Sequence, residues 1–369
     1  MTEHRWQRAQ NHLMQQRKNG GIGSHAQPSE NMAFWKDNTP DLGFGYANLR
    51  ENQHMRVSFL CFCAVSLAVA APMHVVVAQD GSGDFATIQR AVDHALDNAP
   101  AGRDRLIVEI RPGTYKERVI VPPDMPRVTF LGKDAKTTVI TAAVSAKEAG
   151  GTFLSATVTV YGAAFEAENI TFENTFGQGS QAVALTVYSD RAVFRNCRFL
   201  GWQDTLYAAA GRQYYVDSYI AGAVDFIFGN AAAVFDRCEI HSSGPGYLTA
   251  QSRTLPAGPQ GYVFQHCRLT AEPNLRGIFL GRPWRAYSRV VYIDCWMGDH
   301  IRADGWNNWD KAENEKTAWY GEFGSEGPGA DPVERVKWAR RLTQAEADQF
   351  RPEVFLRGSD GWNPAAEHL

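Results

Sequence analysis

Over residues 74–365 the apolar positions fall in short bursts rich in Val, Ile, Phe, Tyr and Thr, separated by Gly, Asn and Asp. This pattern predicts strands of four to six residues, two or three to a unit. Helical spacing is confined to the ends. "DFATIQRAVDHALDNAP" (84–100) puts Ile88, Val92, Ala95 and Leu96 on one face, and "LTQAEADQF" (342–350) offers Thr343 as an N-cap. The bursts also repeat. "FRNCRF", "FDRCEI", "FQHCRL" and "YIDCWM" share an aromatic, two residues, Cys, one residue and an apolar side chain, and "YYVDSYI" fits with Ser218 in place of cysteine. The small residues stand at 197, 218, 238, 267 and 295, spaced by 21, 20, 29 and 28, and "VTFLG" (from 128) and "ITFEN" (from 170) extend the series upstream. Strand-only units of this length, bracketed by helices, predict an all-β, single-domain right-handed parallel β-helix with short terminal helices. Of the rivals, a meander sandwich and a propeller, the propeller needs about 40 residues per blade, which the shorter spacings exclude.

The first 54 residues show neither periodicity and are rich in Asn, Gln and Gly, as expected of a disordered or non-native extension. Met55-Arg56 then precedes "VSFLCFCAVSLAVAA", an apolar stretch ending in Ala68-Val69-Ala70. Residues 55–71 read as a signal peptide, too short for the roughly 20 residues of a spanning helix. The catalytic domain is then 72–369, and a secreted protein, extracellular or periplasmic, is expected. Residues 1–71 hold 7 Lys/Arg and 5 Asp/Glu, leaving 30 against 35 in a mildly acidic domain. No basic run calls for nucleic acid or an anionic membrane. Outside the signal only Cys197, Cys238, Cys267 and Cys295 remain. They read as small residues stacked inside the coil. Rungs about 4.8 Å apart would let Cys238 pair with Cys267, or Cys267 with Cys295. No Cys-x-x-Cys suggests a metal site.

Aligning Cys197 with Ser218 lays "GWQDTLY" (201–207) on "GAVDFIF" (222–228). Asp204 and Asp225 then share an offset of seven from the ladder. In a parallel stack they occupy adjacent rungs, roughly 5 Å apart on one face. Their neighbours Gln203, Val224, Phe226 and Tyr207 are poor turn formers, so a polar loop does not explain the pair. Two such carboxylates titrate together, which suits one as acid and the other as base or nucleophile.

From "VVVAQDGSGDFATIQRAV" (75–92) through "GTYKE", "QAVAL", "GWQDTLY", "VDFIFGN" and "LGRPW" (280–284), the chain resembles the pectin methylesterases over nearly all of residues 74–365. The resemblance implies a right-handed parallel β-helix that removes methyl esters from galacturonate units of pectin, without metal or cofactor. It makes Asp225 the nucleophile and Asp204 the general acid, later base. It makes Gln181 and Gln203 the oxyanion donors, and Arg282 the residue that keeps the nucleophile ionised by lowering its pKa. Trp284 matches a sugar-stacking position, and Tyr207, Phe228 and Val224 join it as expected substrate contacts. Ser180, where many members have histidine, departs from the pattern. The partner is methyl-esterified polygalacturonan, with no membrane after signal cleavage, and a monomer is expected.

Other chemistries fit less well. G-x-S-x-G is absent and none of the six histidines after residue 71 lies in the motifs that carry the family resemblance. "GSGDFA" matches a dinucleotide fingerprint, but no βαβ succession follows. The aspartates are too close for an inverting glycosidase pair, which needs about 6.5–9.5 Å. A related esterase or thioesterase acting on another acyl group is the alternative, and an inactive polysaccharide-binding β-helix is the reading from another class.

Overall fold

A computed structural model describes residues 72–98, 105–331 and 333–366. The expectations for residues 1–54 and for the signal at 55–71 lie outside the described residues. The strands form a sheet of eleven and a sheet of twelve, and every named pairing is parallel. In the second sheet, strand Tyr219–Gly229 pairs first with Arg198–Leu200 and then with Leu206–Ala208, so the sheet folds around a corner. Each coil thus presents three faces, the architecture of a parallel β-helix.

The repeat maps onto this stack. Phe130, Ala167, Phe194, Tyr215, Phe235, Phe264 and Tyr292 lie on one register line. From Phe194 to Tyr292 their rings stack at 4.8, 4.7, 4.5 and 4.6 Å. Cys197, Ser218, Cys238, Cys267 and Cys295 are all buried beside them. They stack inside the coil as expected, and the pairing that the rung spacing would allow is not made: the four described cysteines are free thiols. The Cys197, Cys238, Cys267 and Cys295 thiols donate to the carbonyls of Ala167, Tyr215, Phe235 and Phe264 on the preceding coil, at 3.3–3.5 Å. The position asks for a small side chain with a donor, and serine meets it as well. Just before it, Asn169, Asn196, Asp217, Arg237, His266 and Asp294 all take the left-handed conformation, turning the chain from the first sheet into the second.

Two strands exceed the expected four to six residues, Tyr219–Gly229 and Glu239–Gln251. Their pairing jumps from Val224↔Tyr247 to Ile227↔Thr249, which leaves one extra residue on the first. A bulge lets the chain bend at the corner without ending the ladder.

The helix Ile88–Asn98 buries Ile88, Ala91, Val92 and Ala95, and Glu117 of "GTYKE" accepts the N–H groups of Ile88 and Gln89 at 2.9 and 3.0 Å. Thr343 caps Gln344–Ala347 in a capping box with Glu346, as its sequence predicts. A short helix not expected from periodicity, Ala146–Ala149, has the same device in Ser145 and Glu148. The S-x-x-E string was its available signal.

Candidate active site

Asp204 and Asp225 stand level on adjacent coils. Gln203 bridges to Val224, the Asp204 N–H donates to the Val224 carbonyl at 3.0 Å, and Leu206 pairs with Ile227. Gly201 and Gly222, which anchor the alignment, leave room for Thr205: a Cβ on either would lie 2.7 Å from its Oγ1. Both aspartates are left-handed, with φ of 63° and 50°. At Asp225 this breaks the in–out alternation, so that Phe226 and Ile227 both enter the core while the carboxylate stays outside it.

The two carboxyls differ in partner. Arg282 donates from Nε to Asp225 Oδ1 at 2.8 Å and from Nη2 to Oδ2 at 2.6 Å. Its guanidinium carbon lies 3.8 Å from the ring centres of both Tyr247 and Trp309, held between two aromatic faces. Burial pushes the Asp204 carboxyl well above the ordinary range, and the charge of Asp225 adds to this against a smaller opposing effect of Arg282. Asp225 is also raised, by burial, with the Arg282 hydrogen bonds and charge opposing. This corrects the expectation of a lowered Asp225: desolvation outweighs the ion pair. The asymmetry remains, because Arg282 is bound to one carboxylate only.

Gln203 sits beside Asp204, and its carbonyl accepts the Ala182 N–H at 3.1 Å, bringing Gln181 to the neighbouring rung. Both glutamines are half-buried, and their side-chain amides engage no other described residue. Val224, half-buried, lies level with Gln203 and Tyr247. Around the dyad the aromatics form a cluster outside the main core. Tyr207 stacks on Phe228 at 4.6 Å, and Trp284 lies 6.0 Å from Phe228. Phe228 is 2% exposed, so it supports its neighbours and offers no free face. Burial pushes the Tyr207 phenol up to about 12.

The sequence reading missed Tyr247, Trp309 and Phe153. Phe153 follows the short capped helix and lies 4.9 Å from Tyr207 and 6.4 Å from Trp284, ring centre to ring centre. Half-buried Arg118 and buried Asn174 hold its loop. Arg118 donates to the carbonyls of Leu154 and Ala156 at 2.5 and 3.0 Å. Asn174 donates to those of Val144, Ser155 and Val183 and accepts from the Val144 and Phe176 N–H groups.

The pectinesterase family model matches residues 74–359. The chain belongs to the pectinesterase family. It is 44% identical over 300 residues to pectinesterase 31 of Arabidopsis thaliana, covering 78% of this chain and 93% of the relative. Among solved structures it is similar to pectin methylesterase from carrot, with a TM-score of 0.74 and 41% identity over 78% of this chain and 93% of that one. It is also similar to a pectin methylesterase in complex with a hexasaccharide, with a TM-score of 0.64 and 29% identity over 79% and 98%. As a pectinesterase-family protein the chain is a carboxylic ester hydrolase.

Proposed function

We propose that this pectinesterase removes methyl esters from galacturonate units of pectin with Asp225 as nucleophile and Asp204 as general acid and base. The observation that carries the reading is the in-register pair of buried carboxylates of which only one is bound by arginine. Asp225, the more readily ionised, attacks the C6 carbonyl and forms an acyl-enzyme anhydride. Asp204, protonated, gives its proton to the departing methanol, then takes one from the water that cleaves the anhydride and restores both groups. The free amides of Gln181 and Gln203 receive the tetrahedral oxyanion, each worth about 3 kcal/mol if it acts as such donors commonly do. Trp284 and Phe153 offer apolar surface to the sugar rings, and Tyr207, covered by Phe228 and Phe153, buttresses them together with Phe228. Val224 borders the reacting unit.

The polymeric partner is supported by the hexasaccharide bound to the structural relative. Secretion as a monomer completes the proposal. Residues 55–71 carry the export signal, and no described helix is long and apolar enough to cross a membrane. Methanol release from methylated pectin tests the activity. Release by the wild type and none by Asp225→Asn is expected. Turnover of an acyl-CoA in place of pectin would move the enzyme to the alternative acyl group. Mass spectrometry and light scattering of the protein recovered from the medium check export and monomer together.

A further inference from the structure

Beyond the catalytic coil, toward the N-terminal coils, the outer surface carries two tyrosines that the reaction does not use. Tyr161 and Tyr188 follow inward-facing Val160 and Val187 on paired strands, and their rings stack at 5.0 Å with planes 5° apart. Tyr188 meets Tyr207 edge-on at 5.9 Å. The rings therefore run unbroken from Trp284 through Phe228, Tyr207 and Tyr188 to Tyr161. Both tyrosines are half-buried, and Tyr161 belongs to none of the buried clusters. The Tyr161 hydroxyl takes no hydrogen bond from or to another described residue. The equivalent rung of the catalytic coil holds only Ala209, whose N–H donates to Val187 just as the Tyr188 N–H donates to Val160. The coil thus does not require an aromatic ring there.

Resting on the proposed reaction, we infer that Tyr161 and Tyr188 form a distal subsite for the galacturonan chain, Tyr188 one rung and Tyr161 two rungs, or about 5 and 10 Å, beyond the coil of Asp204 and Tyr207. A pyranose presents apolar C–H faces and a rim of hydroxyls, and a tyrosine offers a flat apolar body with a polar tip to match. A polymer seated on the dyad and following the rings reaches this pair, whereas a short oligomer does not.

The test uses methylated oligogalacturonides of increasing length with two proteins. Binding to Asp225→Asn, measured by calorimetry, should tighten once the oligomer spans the distal pair. Tyr161→Ala in the same background should lose that gain, about fivefold for one aromatic contact, without weakening the short oligomers. Tyr161→Phe should retain most of it, which separates a lost contact from a lost fold. A length gain that survives Tyr161→Ala, or equal weakening of short and long oligomers with unchanged thermal unfolding, overturns the subsite. Methanol release by the otherwise wild-type enzyme is scored separately. Turnover without length dependence removes the subsite and keeps the reaction, and length-dependent binding without turnover does the reverse.

Discussion

Asp225 and Asp204 carry the same functional group, and what separates them is a guanidinium fixed on one of them. Arg282 is held by two aromatic faces as well as by the carboxylate. Arg282→Ala removes the charge and hydrogen bonds that oppose desolvation at Asp225. The acid limb of the pH–rate profile, which the proposed role ties to Asp225, should move to higher pH. Steady-state rates across a pH series check this, and an unmoved limb would detach Arg282 from the ionisation of Asp225. For Asp204 the sign runs through stability as well. Its folded pKa is raised above the unfolded value, so its stabilisation is complete below about 3.8 and is lost as pH rises through the folded value. Asp204→Asn cannot ionise. It should slow methanol release by about 10²- to 10⁴-fold, yet unfold at a higher temperature than the wild type above neutral pH, the gap closing as pH falls. Thermal melts at several pH values read this directly. Asparagine also suits the left-handed backbone at both positions, where alanine adds a conformational cost of about 1 kcal/mol. Asp225→Asn should therefore lose activity with little change in melting temperature. The pairing of the aspartates was legible from their common offset to the cysteine ladder. The balance at Asp225 was not, because burial by neighbouring coils outweighs the Arg282 ion pair there and reverses the expected direction.

Among the elements, the least legible part of the site was the loop that brings Phe153 over it. Its start was encoded in a short capping box, but its course is set by Asn174, a single side chain bonded to the backbone of Val144, Ser155, Phe176 and Val183. Those contacts tie the Phe153 loop to the segment that begins at Gln181. Asn174→Ala strands several buried backbone groups and should cost about 2–3 kcal/mol in urea unfolding. A lower kcat/KM should accompany it, because the Phe153 loop and the Gln181 segment share this anchor. Lost stability with unchanged kcat/KM would limit Asn174 to holding the coil. Tyr247 and Trp309 escaped notice for a related reason. Trp309 lies after the Arg282 segment in an irregular stretch, where equal offsets no longer report equal heights.

For the molecule as a whole, stacking made the fold readable: one ladder of small residues implied parallel coils, and the described residues form them. The rung spacing left disulfide pairing open, since neighbouring rungs bring thiols close without committing them to pair, and the described thiols are free. The described coil depends on no cross-link. The protein recovered from residue 72 onward should melt at the same temperature with and without reductant, and a thiol reagent should count four groups only after denaturation. A reductant-sensitive melt would point to pairing of the ladder thiols.

The equal offset of the two aspartates also limits which parts of the chain can change length. The step of 21 from Asp204 to Asp225 is mostly paired strand, Leu206–Ala208, Arg212–Val216 and the start of Tyr219–Gly229, where one added residue would slide a carboxylate off its rung, whereas the later ladder intervals run to 29 and 28 with the extra length in turns. Insertions between homologous enzymes, and any grafted loop, should therefore be tolerated in the exposed turn around Leu255 and excluded between the aspartates. The catalytic coil serves as the molecule's measure of length, and variety in size is left to its neighbours.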